Sequence, residues 1–276
     1  KPLDMLASED RCPKEADLGK WLGIAALGVL KGDVDNLGEI FRVGNKQPSF
    51  AKYASLSRQM NAFFAIWLPW HLARKHASVY TVFAGGDDFF LIGPWRSVQK
   101  LAADMQQEFR RYVAGNAEIH FSAGIATQKP GSPIHAVAEL AEDALKAAKD
   151  HPGKNAITCF GETLSWSCWP TIESAHTRLG ELRKEMKLST GYVYGLLQFV
   201  EMRREEASKP EATIWRSRFQ YRTRRFVVDK LRGLNDSERK QGFTQLVTDI
   251  AVKGIDELGS NYRIVLFNHL YQFRDR

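Results

Sequence analysis

Three cysteines in 276 residues, at positions 12, 159 and 168, are too few and too scattered for a disulfide framework or a metal-binding pair. Their scarcity points to a reducing, cytoplasmic setting. Cys12 alone leaves open a leftover ligand from a metal site upstream, an idea that one cysteine does not carry. No apolar run approaches the ~18 residues of a spanning helix, so no membrane partner is expected. The longest apolar stretch, 22–30, is strand length. A signal-peptide layout is missing, and so is an initial Met. Lys1 is therefore read as the start of a fragment, or as the first ordered residue of something longer. Internal repeats and low-complexity tracts are also absent.

What is present is ordinary for a globular chain: 44% hydrophobic and 26% charged residues, enough for a buried core in one or two domains. The net charge of +7 is uneven, +2 over residues 1–160 and +5 over 161–276. The excess in the second half hints at a polyanionic partner there.

Residues 1–20 are polar and irregular, and are expected to form a linker. Gly23 to Lys31 reads as a buried strand that runs into Gly32-Asp33-Val34-Asp35. Leu56, Met60, Phe63, Phe64, Trp67, Leu68, His71 and Leu72 follow helical spacing, with Pro69 expected to kink or divide the helix. Val79–Phe83 and Phe89–Ile92 read as strands around a Gly85-Gly86-Asp87-Asp88 hairpin turn, where glycine can take positive φ. A helix over 96–114, a strand over 119–126, a helix over 133–149 and a strand over 156–160 complete the pattern. Beyond residue 165 only helices are expected, near 171–187, 191–207, 211–233, 236–252 and 255–274. In the last of these, Leu258, Tyr262, Val265, Leu266, His269, Leu270 and Phe273 mark one apolar face. The expected organisation is a linker over 1–20, an α+β domain over 21–164 and an all-α domain over 165–276.

Two acidic segments carry the chemistry. A strand that ends in Asp33-Val34-Asp35 beside a hairpin tip with Asp87-Asp88 gathers oxygen ligands suited to Mg²⁺ or Mn²⁺. Two such ions about 4 Å apart neutralise a triphosphate and activate a 3′-hydroxyl. Alternate strand residues point the same way, so Asp33 and Asp35 are expected to face one site. Gly85 and Gly86 leave room for a phosphate near the backbone. A lone Asp-X-Asp is more often a solvated turn, and Gly-Gly-Asp-Asp alone fits any hairpin; the two in order are the stronger signal. Lys149 and Lys154 flank a helix exit and can reach a triphosphate, although cations there also complement a helix dipole.

The order Asp33-Val34-Asp35, Tyr80 to Phe89 with its Gly-Gly-Asp-Asp, Ser122-Ala123-Gly124-Ile125-Ala126, Ala144 to Lys149 and Gly153-Lys154-Asn155 resembles the GGDEF diguanylate cyclase palm. It departs where the turn ends in Asp-Asp-Phe, and it lacks the guanine-reading Asn-Asp segment. Leu27 to Phe41 and Leu56 to Phe64 look more like one relative of that palm, the large subunit of type III CRISPR effector complexes (the Csm-type Cas-ten family). The likeness covers the second palm, about residues 20–162, and continues less specifically into the helical tail. It implies a ferredoxin-like polymerase/cyclase palm followed by an all-α domain. It also implies cyclic oligoadenylate synthesis from ATP on target-RNA binding, within a complex of guide RNA, target RNA and other effector subunits including a small subunit. The HD nuclease and first palm of such subunits are not visible, so the chain looks like the C-terminal portion of a longer protein.

Carried over, the resemblance makes Asp87 and Asp88 catalytic, with Asp33, the Val34 carbonyl, Asp87, Asp88 and, more weakly, Asp35 as metal ligands. Lys149 and Lys154 become triphosphate contacts, the backbone of Asn36, Leu37 and Gly38 a phosphate cradle, and Ser57 a base contact. Arg218, Arg222 and Arg225 share one helix face in a strongly basic segment, a stripe fit for an RNA backbone. A solvated face, or a seam to a small protein subunit, explains the same stripe. The rival functions are a dinucleotide cyclase and a nucleotide- and RNA-binding scaffold without catalysis.

Overall fold

The computed structural model describes residues 1–13, 21–43, 49–230 and 235–274. The chain divides into two compact units, Lys1–Cys12 with Ile24–Ser167, and Pro13–Gly23 with Cys168–Arg276. The expected linker over 1–20 gives way in part to helix α1 (Leu3–Ala7), which buries Leu6 and Ala7. Two two-residue strands, β1 (Cys12–Pro13) and β2 (Trp21–Leu22), follow. Residues 14–20 lie outside the described residues.

The first unit is built on a six-stranded sheet in the order β4-β5-β3-β6-β7-β8. Its centre is β3 (Leu27–Val34), buried except at Lys31 and Asp33. Because helices cover both of its faces, β3 is a near-continuous apolar run and lacks a clean alternation. It pairs antiparallel with β5 (Asp88–Pro94) on one side and β6 (Phe121–Gln128) on the other. Strand β4 (Tyr80–Gly85) forms the hairpin with β5. Strand β7 (Ala156–Cys159) lies parallel to β6, so it needs a crossover, and α6 (Ile134–Lys149) supplies it. The sequence reading missed β8 (Glu162–Ser165), a four-residue strand that hairpins onto β7 through Phe160 and Gly161, both at positive φ.

Residue parity on β3 sorts the two faces. Leu27 and Val29 join Leu6, Ala7, Ile92, Ala126, Val137 and Ala141 in one core, beneath α1 and α6. The opposite face packs under α5 (Trp95–Tyr112) and the long helical run that begins with α3 (Phe50–Ala62). There Phe64 stacks on Phe89 at 5.3 Å, and Phe109 meets Phe121 edge-on at 5.4 Å. Gly32 is required beneath this cluster, since a Cβ there would lie 2.1 Å from the Phe89 ring. Gly124 in β6 has the same role on the α6 side, where a Cβ would lie 2.2 Å from the Leu145 backbone nitrogen. The helix runs on through Pro69 with a change of winding and no break. A π-helical turn (Phe63–Trp67) separates α3 from α4 (Leu68–Lys75), with Pro69 in the first turn of α4, where its missing N–H costs little.

The second unit is helical: α7 (Trp169–Glu185), α8 (Thr190–Glu205), α9 (Trp215–Phe226), α10 (Asp236–Leu246) and α11 (Tyr262–Phe273). Asn235 and Glu238 form a reciprocal capping box at the start of α10. A π-helical stretch (Val247–Asp256) and a short 3₁₀ turn (Gly259–Asn261) take the start of the helix expected near 255–274, which begins at Tyr262. The single apolar face read for the last helix is also too narrow. Ile264 and Asn268 are buried along with Tyr262, Val265, Leu266, His269 and Leu270, because α11 packs against both α7 and α8.

Candidate active site

The hairpin tip is a two-residue loop, Gly86-Asp87, closed by the Gly85–Asp88 pair. Gly86 takes φ +67° at its first central position, a conformation that favours glycine. The Gly86 N–H donates to Asn61 Oδ1 at 2.9 Å, and the Val34 N–H donates to the Asp87 carbonyl at 3.0 Å. The tip is thus tied to α3 on one side and to the end of β3 on the other. Ser57 lies one helical turn before Asn61 on α3 and is exposed.

Register places Asp33 directly opposite Asp88. Opposed residues of an antiparallel pair project to the same face with Cβ atoms about 5 Å apart, and that face is the one covered by α6. Asp87 is half-buried and Asp88 exposed. Burial, and then the Asp87 charge, push the Asp88 carboxyl above the ordinary carboxylate range. A cation held between these acids would relieve that repulsion. The donors are all hard oxygens, the set that suits Mg²⁺ or Mn²⁺ and not a soft metal.

The two expected lysines arrive at the same end of the sheet. The Lys149 ammonium, in the last turn of α6, forms an ion pair with Asp33. Burial, and then the Lys154 charge, hold the Lys149 ammonium below lysine's usual range. Lys154 donates to the Asn36 side chain at 2.7 Å. Gly153, Lys154 and Asn155 take three successive left-handed conformations, with φ of +80°, +52° and +47°. Such backbone is costly for a lysine, and it is the turn that brings Lys154 to Asn36. Asn36 itself has φ +55° and accepts the Ile40 N–H at 2.9 Å as the chain enters α2 (Leu37–Val43). Gly38 is exposed with open space around it.

Asp35 sits deeper than Asp33: it follows the end of β3 in a turn and is completely buried. Its Oδ2 accepts from Ser122 Oγ at 2.9 Å and the Asn155 N–H at 3.1 Å, and lies 2.7 Å from His120 Nδ1. These bonds tie Oδ2 to β6 and the lysine turn, while Oδ1 is buried with no hydrogen-bond partner, so one oxygen of Asp35 stays uncommitted. His120 and Asn61 were not picked out by the sequence reading, and Ser122 and Asn155 lie in segments it quoted without giving them a role. Their partners are 25 to 120 positions away, beyond any local pattern.

In the helical unit, Arg218 and Arg225 are exposed on α9. Arg222 is engaged elsewhere: its guanidinium donates to the Gly191 carbonyl at 3.1 Å and fills the space a Cβ on Gly195 would take. Arg222 is thus a packing contact with α8, and Arg225, though exposed, donates to Tyr221 Oη at 2.8 Å on its own helix.

Residues 26–158 match the family model described as Cas10/Cmr2, second palm domain. The chain is 30% identical over 196 residues to a Methanocaldococcus jannaschii protein, the CRISPR system single-strand-specific deoxyribonuclease Cas10/Csm1 (subtype III-A). That alignment covers 59% of this chain and 24% of the relative, so the chain spans about a quarter of that protein's length. Among solved structures, a Csm1–Csm4 cassette in complex with pppApApA aligns with a TM-score of 0.67 at 21% identity, over 97% of this chain and 38% of that one. A Csm1–Csm4 cassette in complex with cA3 aligns with a TM-score of 0.64 at 22% identity, over 96% and 37%. At these identities the structural likeness is one of fold.

Proposed function

We propose that this chain, whose residues 26–158 belong to the Cas10/Cmr2 second palm domain family, uses ATP to make cyclic oligoadenylate as part of a type III CRISPR effector. The observation that carries the reading is the Asp33–Asp88 register with Lys149 drawn onto Asp33. It supports a site that holds divalent cations and a triphosphate at one end of β3. The similar folds solved with pppApApA and with cA3 support adenylate as the substrate class.

In the proposed reaction the 3′-oxygen of one nucleotide forms a bond to the α-phosphorus of ATP. The bond from that phosphorus to the bridging oxygen breaks, pyrophosphate leaves, and the hydroxyl proton passes to solvent. Bound Mg²⁺ or Mn²⁺ supplies charge neutralisation and activation of the 3′-hydroxyl. Asp33, Asp87, Asp88 and the Val34 carbonyl would hold it. Lys149 and Lys154 pair with phosphate oxygens, and the backbone of Asn36, Leu37 and Gly38 borders them. Gly85 and Gly86 keep side chains away from the nucleotide, and Ser57 borders its base. Asp35 acts by holding this frame. Arg218 and Arg225 are the remaining contacts for guide or target RNA, or for another effector subunit.

The test is to incubate the effector complex, with target RNA and Mg²⁺ or Mn²⁺, with each labelled triphosphate. Cyclic oligoadenylate from ATP, lost in Asp87→Ala/Asp88→Ala with the fold intact, is the expected result. A dinucleotide product from GTP would make the chain a dinucleotide cyclase. ATP binding with no product would make it a scaffold. Residues 1–276 alone are expected to bind ATP but to give little product until the first palm of the resembled subunit supplies the oriented 3′-hydroxyl.

A further inference from the structure

A second cluster of ligand-type side chains lies away from the carboxylates of the hairpin tip. His71 in α4, His76 at the C-terminal cap of α4 and Asp104 in α5 bring one ligand atom each to within 4.8 Å of one another. His76 Nε2 lies 2.8 Å from Asp104 Oδ2, and His71 Nε2 lies 3.8 Å from the same oxygen.

His71 is the telling member. It is 2% exposed, yet its Nε2 has no hydrogen-bond partner. A buried ring nitrogen left unpaired is unfavourable and calls for an explanation. The ring is held firmly: Phe63, Trp67 and His71 stack at successive helical turns, with centroids 4.4 and 4.5 Å apart. The unpaired nitrogen therefore points at Asp104 by construction.

We propose that His71, His76 and Asp104 form a binding site for one borderline divalent transition-metal ion of the Zn²⁺ class, separate from the Mg²⁺/Mn²⁺ site at the hairpin tip. Two imidazole nitrogens and one carboxylate oxygen are a donor set for Zn²⁺, Co²⁺ or Fe²⁺ and a poor one for Mg²⁺. Ligand bonds of about 2.0–2.1 Å put the donor atoms of a tetrahedral site about 3.3 Å apart, between the two distances seen here. Asp104 is 43% exposed, which leaves its side open for water as a further ligand. The ion satisfies His71 Nε2 and clamps the end of α4 to α5. Asn61, near the middle of the same helical run, accepts the Gly86 N–H of the Gly-Gly-Asp-Asp turn.

The experiment uses the full chain after chelator treatment, with Co²⁺ as the optical probe and Zn²⁺ as competitor, in excess Mg²⁺ to fill the hairpin-tip site. The expected result is one equivalent of Co²⁺ with visible d–d bands of imidazole ligation, displaced by Zn²⁺ but not by Mg²⁺. Those bands disappear in both His76→Ala and Asp104→Asn and persist in Asp33→Ala. Loss of a direct ligand should lower Zn²⁺ affinity more than about 100-fold, since lost outer partners alone cost about 10–100-fold. Should His76→Ala fail to fold, the half-exposed Asp104→Asn decides the matter. The proposal is overturned if no such bands form in excess Mg²⁺, if they survive Asp104→Asn, or if Asp33→Ala removes them. In each of those cases His76 and Asp104 are a hydrogen-bonded pair and nothing more.

Discussion

The Lys149 ammonium rests on the Asp33 carboxylate, joining the last turn of α6 to the end of β3 across 116 positions of sequence. The pair keeps a cation on the acid that the proposed metal and triphosphate would engage. About a third of the Lys149 side chain is exposed, so its contribution to stability is small. Lys149→Ala is expected to change unfolding free energy by less than about 1 kcal/mol. Its expected effect on ATP affinity is larger, about 1.5–3 kcal/mol or roughly 10- to 150-fold, the worth of a charge-assisted contact. Lys154→Ala follows in the same direction. Titration calorimetry against urea unfolding separates the two effects, and unchanged ATP affinity in both variants removes the lysines from the site.

Asp33 and Asp35 are two residues apart and differ in depth, Asp33 part-exposed and Asp35 fully buried. Asp35→Ala strands His120, Ser122 Oγ and the Asn155 N–H around a buried gap, and is expected to cost about 3 kcal/mol or more. Asp33→Ala frees only a part-exposed lysine and costs under about 1 kcal/mol, while metal-dependent ATP binding is lost. Denaturant midpoints of equal size in the two variants would contradict this division.

Gly124 controls how closely α6 approaches the sheet. In Gly124→Ala the new methyl meets helix backbone at 2.2 to 2.8 Å, atoms that cannot rotate away. The expected loss is about 3 kcal/mol, with weaker ATP binding because Lys149 moves with α6. Gly180→Ala in α7 meets nothing within 4 Å and is the control, expected to be neutral or stabilising by up to about 1 kcal/mol. Crystallography or hydrogen exchange on α6 distinguishes displacement from general unfolding.

His269 gives the second unit a pH dependence. Burial, then the His176 and Arg183 charges, push its imidazole down to about 3. The folded state thus stays neutral where the unfolded chain, near its ordinary 6.5, takes up a proton. Stability is complete above that unfolded value and falls as pH drops through the window towards 3, by up to about 1.4 kcal/mol per pH unit. Between about pH 7 and about pH 5 the native chain should lose about 2 kcal/mol more than His269→Leu. Urea unfolding at both pH values measures the difference, and parallel losses would refute it.

The sequence by itself determined the α+β palm, its strand–hairpin–strand–helix order and the helical tail, because hydrophobic period and turn glycines are local signals. Leu27 to Val34 is apolar enough to be a central strand wherever its neighbours lie, and Gly86 suits a tight turn whatever it faces. Strand ends shifted by a few residues, since hydrogen-bond pairing sets them; the first strand was read over 23–31 and pairs over 27–34. Asp33 and Asp35 are alike in sequence and differ only in depth, which His120, Ser122 and Asn155 decide from the far side of the chain. The same holds for Arg222, indistinguishable from Arg218 and Arg225 until Gly191 and Gly195 of α8 come beneath it. Tertiary packing alone made that choice, because burial and charge pairing depend on distances between residues that no local pattern encodes.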